Sequence, residues 1–128
     1  MTYPSGHVVA YTRDFDSRVT AVTIDLGAGP QIVGSGASYR PNGPLASMTY
    51  GDGFTYQATH DTSYRLTGMT DSLGATSLRD LGLTYTMRNN LASVFDSIDP
   101  LRNENFRYSA RELLTDGDGP WGHARLWL

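Results

Sequence analysis

The chain has 128 residues, of which 39% are hydrophobic, with 14 glycines, six prolines and a formal charge of −3. All ten basic residues are arginine and cysteine is absent, which excludes a disulfide framework, a thiolate metal site and a thiol nucleophile, and leaves neither a nucleic-acid footprint nor a polybasic membrane patch. One domain of this size can bury roughly two-thirds of its unfolded surface, and the Gly, Pro, Ser and Thr content predicts many short strands joined by turns.

The opening residues, MTYPSGHVVAYTRDF, lack a basic start followed by an apolar run, so they do not read as a signal peptide, and no apolar run is long enough to span a bilayer. From there five segments align in chain order: RDFDSRVTAV (13–22), YRPNGPLASM (39–48), HDTSYRLTGM (60–69), YTMRNNLASV (85–94) and YSARELLTDG (108–117). Their aliphatic anchors are Val19, Leu45, Leu66, Leu91 and Leu114, spaced 26, 21, 25 and 23 residues apart. Three residues after each anchor stand Val22, Met48, Met69, Val94 and, breaking the rule, Gly117. Six residues before it, Tyr39, Tyr85 and Tyr108 fill three of the five slots.

An aliphatic pair at i and i+3 fits a helical face, but the neighbouring stretches AVTID, FTYQATHD and TYTMRNN are rich in Thr, Tyr, Phe and Val and are bounded by Gly, Asn, Asp or Pro. Each unit therefore reads as strand, turn, strand. Asn42-Gly43 and Asp52-Gly53 suit left-handed conformations in tight two-residue turns, and Asn89-Asn90 takes the same part in the fourth unit. On a regular strand, i and i+3 point to opposite faces, so either both faces are covered or the strands are bulged.

The phrases YRPNGPLASMTYGDG, YRLTGMTDSLG, YTMRNNLASV and YSARELLTDGDGPWG resemble RHS repeats, also called YD repeats, and the likeness covers nearly the whole chain, 1–128, in about five units. The resemblance implies an all-β fold of successive antiparallel hairpins in a curved, spiralling sheet, part of a shell that encloses a C-terminal domain in large exported or cell-surface bacterial proteins. It implies no enzymatic activity and no cofactor for the repeats themselves. Carried over by position, Tyr39, Tyr85 and Tyr108 occupy the Tyr slot of the signature, Asp14 and Asp61 its Asp slot, and Gly43 the turn glycine. The units are degenerate: Arg13 and His60 sit in Tyr slots, and Arg40, Thr86 and Ser109 in Asp slots. Asp99-Pro100-Leu101-Arg102 lacks the glycine of the Asp-Pro-Xaa-Gly signature found in many members, so no self-cleavage carries over.

Other chemistry is thin. His7, His60 and His123 lack metal-ligand spacing; Asp116-Gly117-Asp118-Gly119 reads as a plain turn, since position twelve of a calcium loop would be Trp127; and GSGAS (34–38) reads as a flexible loop, not a nucleophile elbow. Asp14 with Asp16, and Asp96 with Asp99, read as turn and strand-edge acids. Tyr39, Tyr85 and Tyr108 also suit a carbohydrate-binding face, against packing across neighbouring strands. The middle anchors Leu45, Leu66 and Leu91 are expected to be more buried than Val19 or Leu114. The ends, TYPSGHVV and GPWGHARLWL, resemble joints between units, so the chain reads as a truncated array whose apolar last strand, with Leu126, Trp127 and Leu128, favours self-association.

Overall fold

The computed structural model describes every residue except 42, 127 and 128. Strands form where β-branched and aromatic residues cluster, and Gly, Asp and Asn interrupt them. They are β1 (Val8–Arg13), β2 (Val19–Asp25), β3 (Pro30–Tyr39), β4 (Leu45–Tyr50), β5 (Thr55–His60), β6 (Leu66–Leu73), β7 (Thr76–Tyr85), β8 (Leu91–Asp96), β9 (Glu104–Tyr108), β10 (Leu114–Gly119) and β11 (Gly122–Arg125). Strand order is chain order, and the one helical element among the described residues is a 3-10 turn at Pro100–Arg102. Among the described residues no helix is long and apolar enough to cross a membrane.

Contacts cluster in two compact units, one of Met1–Ala58 with Asp71–Thr76, the other of Thr59–Thr70 with the residues from Ser77 onward. In the first, β1 pairs with β2, β2 with β3, β3 with β4 and β4 with β5, all antiparallel. In the second, β7, β8, β9, β10 and β11 pair successively in the same sense.

Register resolves the ambiguity of the aliphatic pairs. Thr12 faces Ala21 while Arg13 faces Val19, so Thr20 is an extra residue on β2. Ala46, Ala92 and Thr115 are extra in the same way, beside the pairs Tyr39–Leu45, Tyr85–Leu91 and Tyr108–Leu114. Each bulge restores the face that a three-residue step would lose, so Val19 and Val22 share one face, as do Leu45 and Met48, and Leu91 and Val94.

The turns depart from the two-residue form that the sequence suggests. At Asp14, Arg40, Tyr50, Asp61, Thr86 and Ser109 the first residue's N–H donates to the carbonyl four residues on, and the N–H three residues on donates back, at 2.7 to 3.1 Å. These are three-residue loops, a type I turn closed by a left-handed residue, the form that permits an offset register. Ser17, Gly53, Tyr64, Asn89 and Glu112 hold the left-handed position, with φ between 62° and 89°. Gly43, whose N–H donates to Arg40, stands at the equivalent place, and its predicted partner Asn42 lies outside the described residues.

Several expectations need correction. GSGAS lies within β3, where Gly34, Ser35 and Ser38 pair with β4, and Asp116–Gly119 lies within β10, laddered on both sides; a glycine inside a strand reads as a breaker in sequence alone. A packed core does not form: Ala58 is the one buried apolar side chain among the described residues. With only a three-residue helical turn beside the strands among the described residues, their apolar residues stay half-buried or, like Ile32, Leu78 and Phe95, exposed. All five anchors are half-buried. Trp127 and Leu128 lie outside the described residues, and Leu126 is exposed.

Leu66→Ala should accordingly cost about 1–2 kcal/mol, below the ~2–5 kcal/mol of a fully buried leucine. Urea denaturation checks this, and a loss above about 3 kcal/mol would make the anchor a core residue.

Candidate functional site

The residues singled out by sequence converge on one recurring arrangement at the turn end of each hairpin. A tyrosine ending the first strand sits opposite the anchor that starts the second, and its ring reaches the preceding hairpin. The Tyr39 hydroxyl donates to the Val19 carbonyl at 2.7 Å, Tyr85 to Leu66 at 2.8 Å and Tyr108 to Leu91 at 2.8 Å. Every acceptor is itself an anchor. A tyrosine is suited to this because its long rigid ring covers apolar surface while its tip delivers one donor to a main-chain oxygen. Where the slot holds arginine, the Arg13 guanidinium donates to Ser17 within its own turn, 2.8 Å away. Where it holds His60, Nδ1 finds no hydrogen-bond partner among the described residues.

The Asp slot is a turn-closing acceptor. Asp14 Oδ1 accepts from the N–H groups of Asp16 and Arg18 at 3.0 and 2.9 Å, and Asp61 Oδ1 from Ser63 and Arg65 at 2.8 and 3.0 Å. The Thr86 hydroxyl accepts from Arg88 and Asn90, and the Ser109 hydroxyl from Arg111 and Leu113, at 3.2 to 3.3 Å. Hydroxyl-bearing residues thus replace Asp through the same geometry with longer bonds. That chemistry accounts for Thr86 and Ser109; Arg40, with no acceptor oxygen on its side chain, keeps the main-chain bonds of the turn.

Two arginines missed by the sequence reading complete the arrangement. Arg18 Nε contacts Asp14 Oδ2 at 2.8 Å, and its guanidinium carbon lies 5.0 Å from the Tyr39 ring centre. Arg65 repeats this with Asp61 at 2.6 Å and Tyr85 at 4.8 Å. The signal was present as Arg directly before the anchor in RDFDSRV and HDTSYRL.

Electrostatics follow from these contacts. Partial burial would raise the Asp14 and Asp61 carboxyls, yet hydrogen bonds from the backbone and side chain of Arg18 and Arg65, with their charge, hold both below the ordinary value. Asp96, buried at the end of β8, is lowered chiefly by the N–H groups of Asp99 and Ile98, against some desolvation and with help from Arg102. Asp96 and Asp99 are therefore turn formers, since Asp99 in turn caps Leu101 at 3.2 Å. Asp14 and Asp16 share Arg18 and are held as an ion pair network.

Elsewhere the polar side chains pair along the strands. His123 Nδ1 lies 2.6 Å from Asp118, and Arg107 and Arg125 reach Asp118 and Asp116 at 3.6 Å. Among the described residues no three His, Asp or Glu side chains gather to hold a metal ion.

No protein-family model matches this sequence, and no curated protein matches it. Solved structures do. The Photorhabdus luminescens Tc holotoxin pore matches 92% of this chain with a TM-score of 0.86 at 16% identity. The crystal structure of TcdB2-TccC3-Cdc42 matches 90% with a TM-score of 0.82 at 15% identity, and that of TcdB2-TccC3 without its hypervariable C-terminal region 90% with 0.84 at 16%. The fold is that of an RHS-repeat segment. This chain spans 6% of the length of those toxin chains. At that identity the likeness is one of fold.

Tyr85→Phe should cost about 1 kcal/mol through loss of the bond to Leu66, with Tyr39→Phe and Tyr108→Phe alike. Urea midpoints test this; unchanged stability in all three would mean that the hydroxyls do no structural work.

A pH dependence follows from the lowered carboxyls. Groups whose native value lies below the unfolded value of 3.8 contribute stability that is complete above it and is lost as pH falls through the native values. Urea midpoints should fall as pH drops below about 4, and Asp14→Asn with Asp61→Asn should flatten that fall.

Proposed function

We propose that this chain is a stretch of wall in an RHS shell: a non-enzymatic scaffold whose hairpins latch one to the next, within a larger exported or cell-surface bacterial protein that encloses a C-terminal domain. The observation that carries the reading is the tyrosine hydroxyl bonded to the anchor carbonyl of the hairpin before it, three times over. A latch of that kind uses each unit to complete its neighbour, which is the requirement of an extended array and not of a catalytic cleft. The toxin chains of matching fold support the same reading. The signature residues Asp14, Tyr39, Gly43, Asp61, Tyr85 and Tyr108 serve the array by shaping turns and latches. The further partners of the chain on this reading are other repeats of the same array and the enclosed domain.

The test is electron microscopy and limited proteolysis of the complete gene product. A hollow β-walled particle containing this segment, with a protease-resistant C-terminal domain released by the combined Tyr85→Phe and Tyr108→Phe changes, is the expected result. Specific binding of glycans by the chain, abolished by Tyr39→Ala, Tyr85→Ala and Tyr108→Ala without loss of folding, would overturn it in favour of a carbohydrate-binding module.

A further inference from the structure

Within this one chain a carboxylate and an arginine come and go together. The turns that begin with Asp14 and Asp61 end, four residues later, with Arg18 and Arg65; those that begin with Arg40, Thr86 and Ser109 end with Pro44, Asn90 and Leu113. Turn closure alone does not require the pairing, because Thr86 and Ser109 close their turns without an arginine.

The reason lies in where the arginine goes. Arg18 and Arg65 are about one-third exposed, at 30% and 32%, so each guanidinium sits partly out of water and needs a fixed counter-charge. The carboxylate supplies it through Nε, which sets the plane of the guanidinium and aims its other edge forward. Arg18 Nη1 then donates to the Arg40 carbonyl at 3.4 Å, and Arg65 Nη1 to Asn89 Oδ1 at 2.6 Å, each in the turn of the following repeat. Its face meets the ring of Tyr39 or Tyr85. The residue following each arginine is the anchor whose carbonyl takes that same tyrosine's hydroxyl. Two adjacent residues, Arg18-Val19 or Arg65-Leu66, therefore grip one ring of the following hairpin, by its face and by its tip.

We propose that Asp and the arginine four residues on form a single coupling device, in which the carboxylate positions the guanidinium and the guanidinium couples the order of one hairpin to that of the next. The contacts join a turn to the hairpin that follows it, and the stabilisation they carry is reciprocal. It stands on the contacts themselves and holds whether or not the array encloses a cavity.

Hydrogen exchange on the intact chain tests it. Arg65→Lys keeps the charge but loses the planar fork, and amides of 85–94 should exchange roughly two- to tenfold faster. Acceleration confined to 61–66, with 85–94 untouched, overturns the proposal. A gain-of-function graft decides the matter independently of any loss of folding. Thr86→Asp and Asn90→Arg leave the main-chain bonds of that turn intact and place the pair ahead of Tyr108. Together they should slow exchange across 108–114 by more than the product of the two single effects. An effect equal to that product shows two independent residues and no device.

Discussion

The bond from a tyrosine hydroxyl to the carbonyl of the preceding anchor is the interaction on which the arrangement rests. It requires a main-chain acceptor, and Val19 and Leu91 offer theirs beyond the last ladder pairs with the following strand, Val22–Gly34 and Ser93–Asn105. It also requires the tyrosine to end its strand opposite the next anchor, which the three-residue loop enforces. Turn and latch are thus one constraint expressed two ways. Change the loop by a residue and the tyrosine faces the wrong side.

That dependence explains why Asp, Thr and Ser serve alike in the Asp slot. Asp, Thr and Ser all supply a short side-chain oxygen to the N–H groups two and four residues on, so identity drifts while geometry persists. Tyrosine has no comparable substitute. Arg13 turns back to its own loop, and the His60 ring leaves Nδ1 without a partner among the described residues.

The hairpins themselves were legible in the sequence because anchor, following aliphatic and tyrosine recur at fixed offsets. The bulges were not legible, since Thr20, Ala46, Ala92 and Thr115 look like ordinary strand residues and only register exposes them. Asp116–Gly119 misled for a different reason: a pair of glycines reads as a breaker unless both neighbouring strands are known to supply the ladder. The arginines escaped because their partners lie 20 or more residues away, at Tyr39 and Tyr85. Exposure was misjudged as well, for a periodic apolar pattern says which face a residue takes and not whether anything lies over it.

A fold that leaves its anchors half-buried differs in how it responds to heat. The heat capacity of unfolding is set by the apolar area newly wetted, less an opposing contribution from main-chain and other polar groups. Here the first quantity is small, because the apolar side chains are already partly wet, and the second is large, because cohesion lies in ladders, turns and latches. The stability curve of such a chain is shallow: its free energy changes slowly with temperature on both sides of the maximum, and cold weakens it little. Hydrogen-bonded cohesion of this kind trades peak stability for constancy across a wide thermal range.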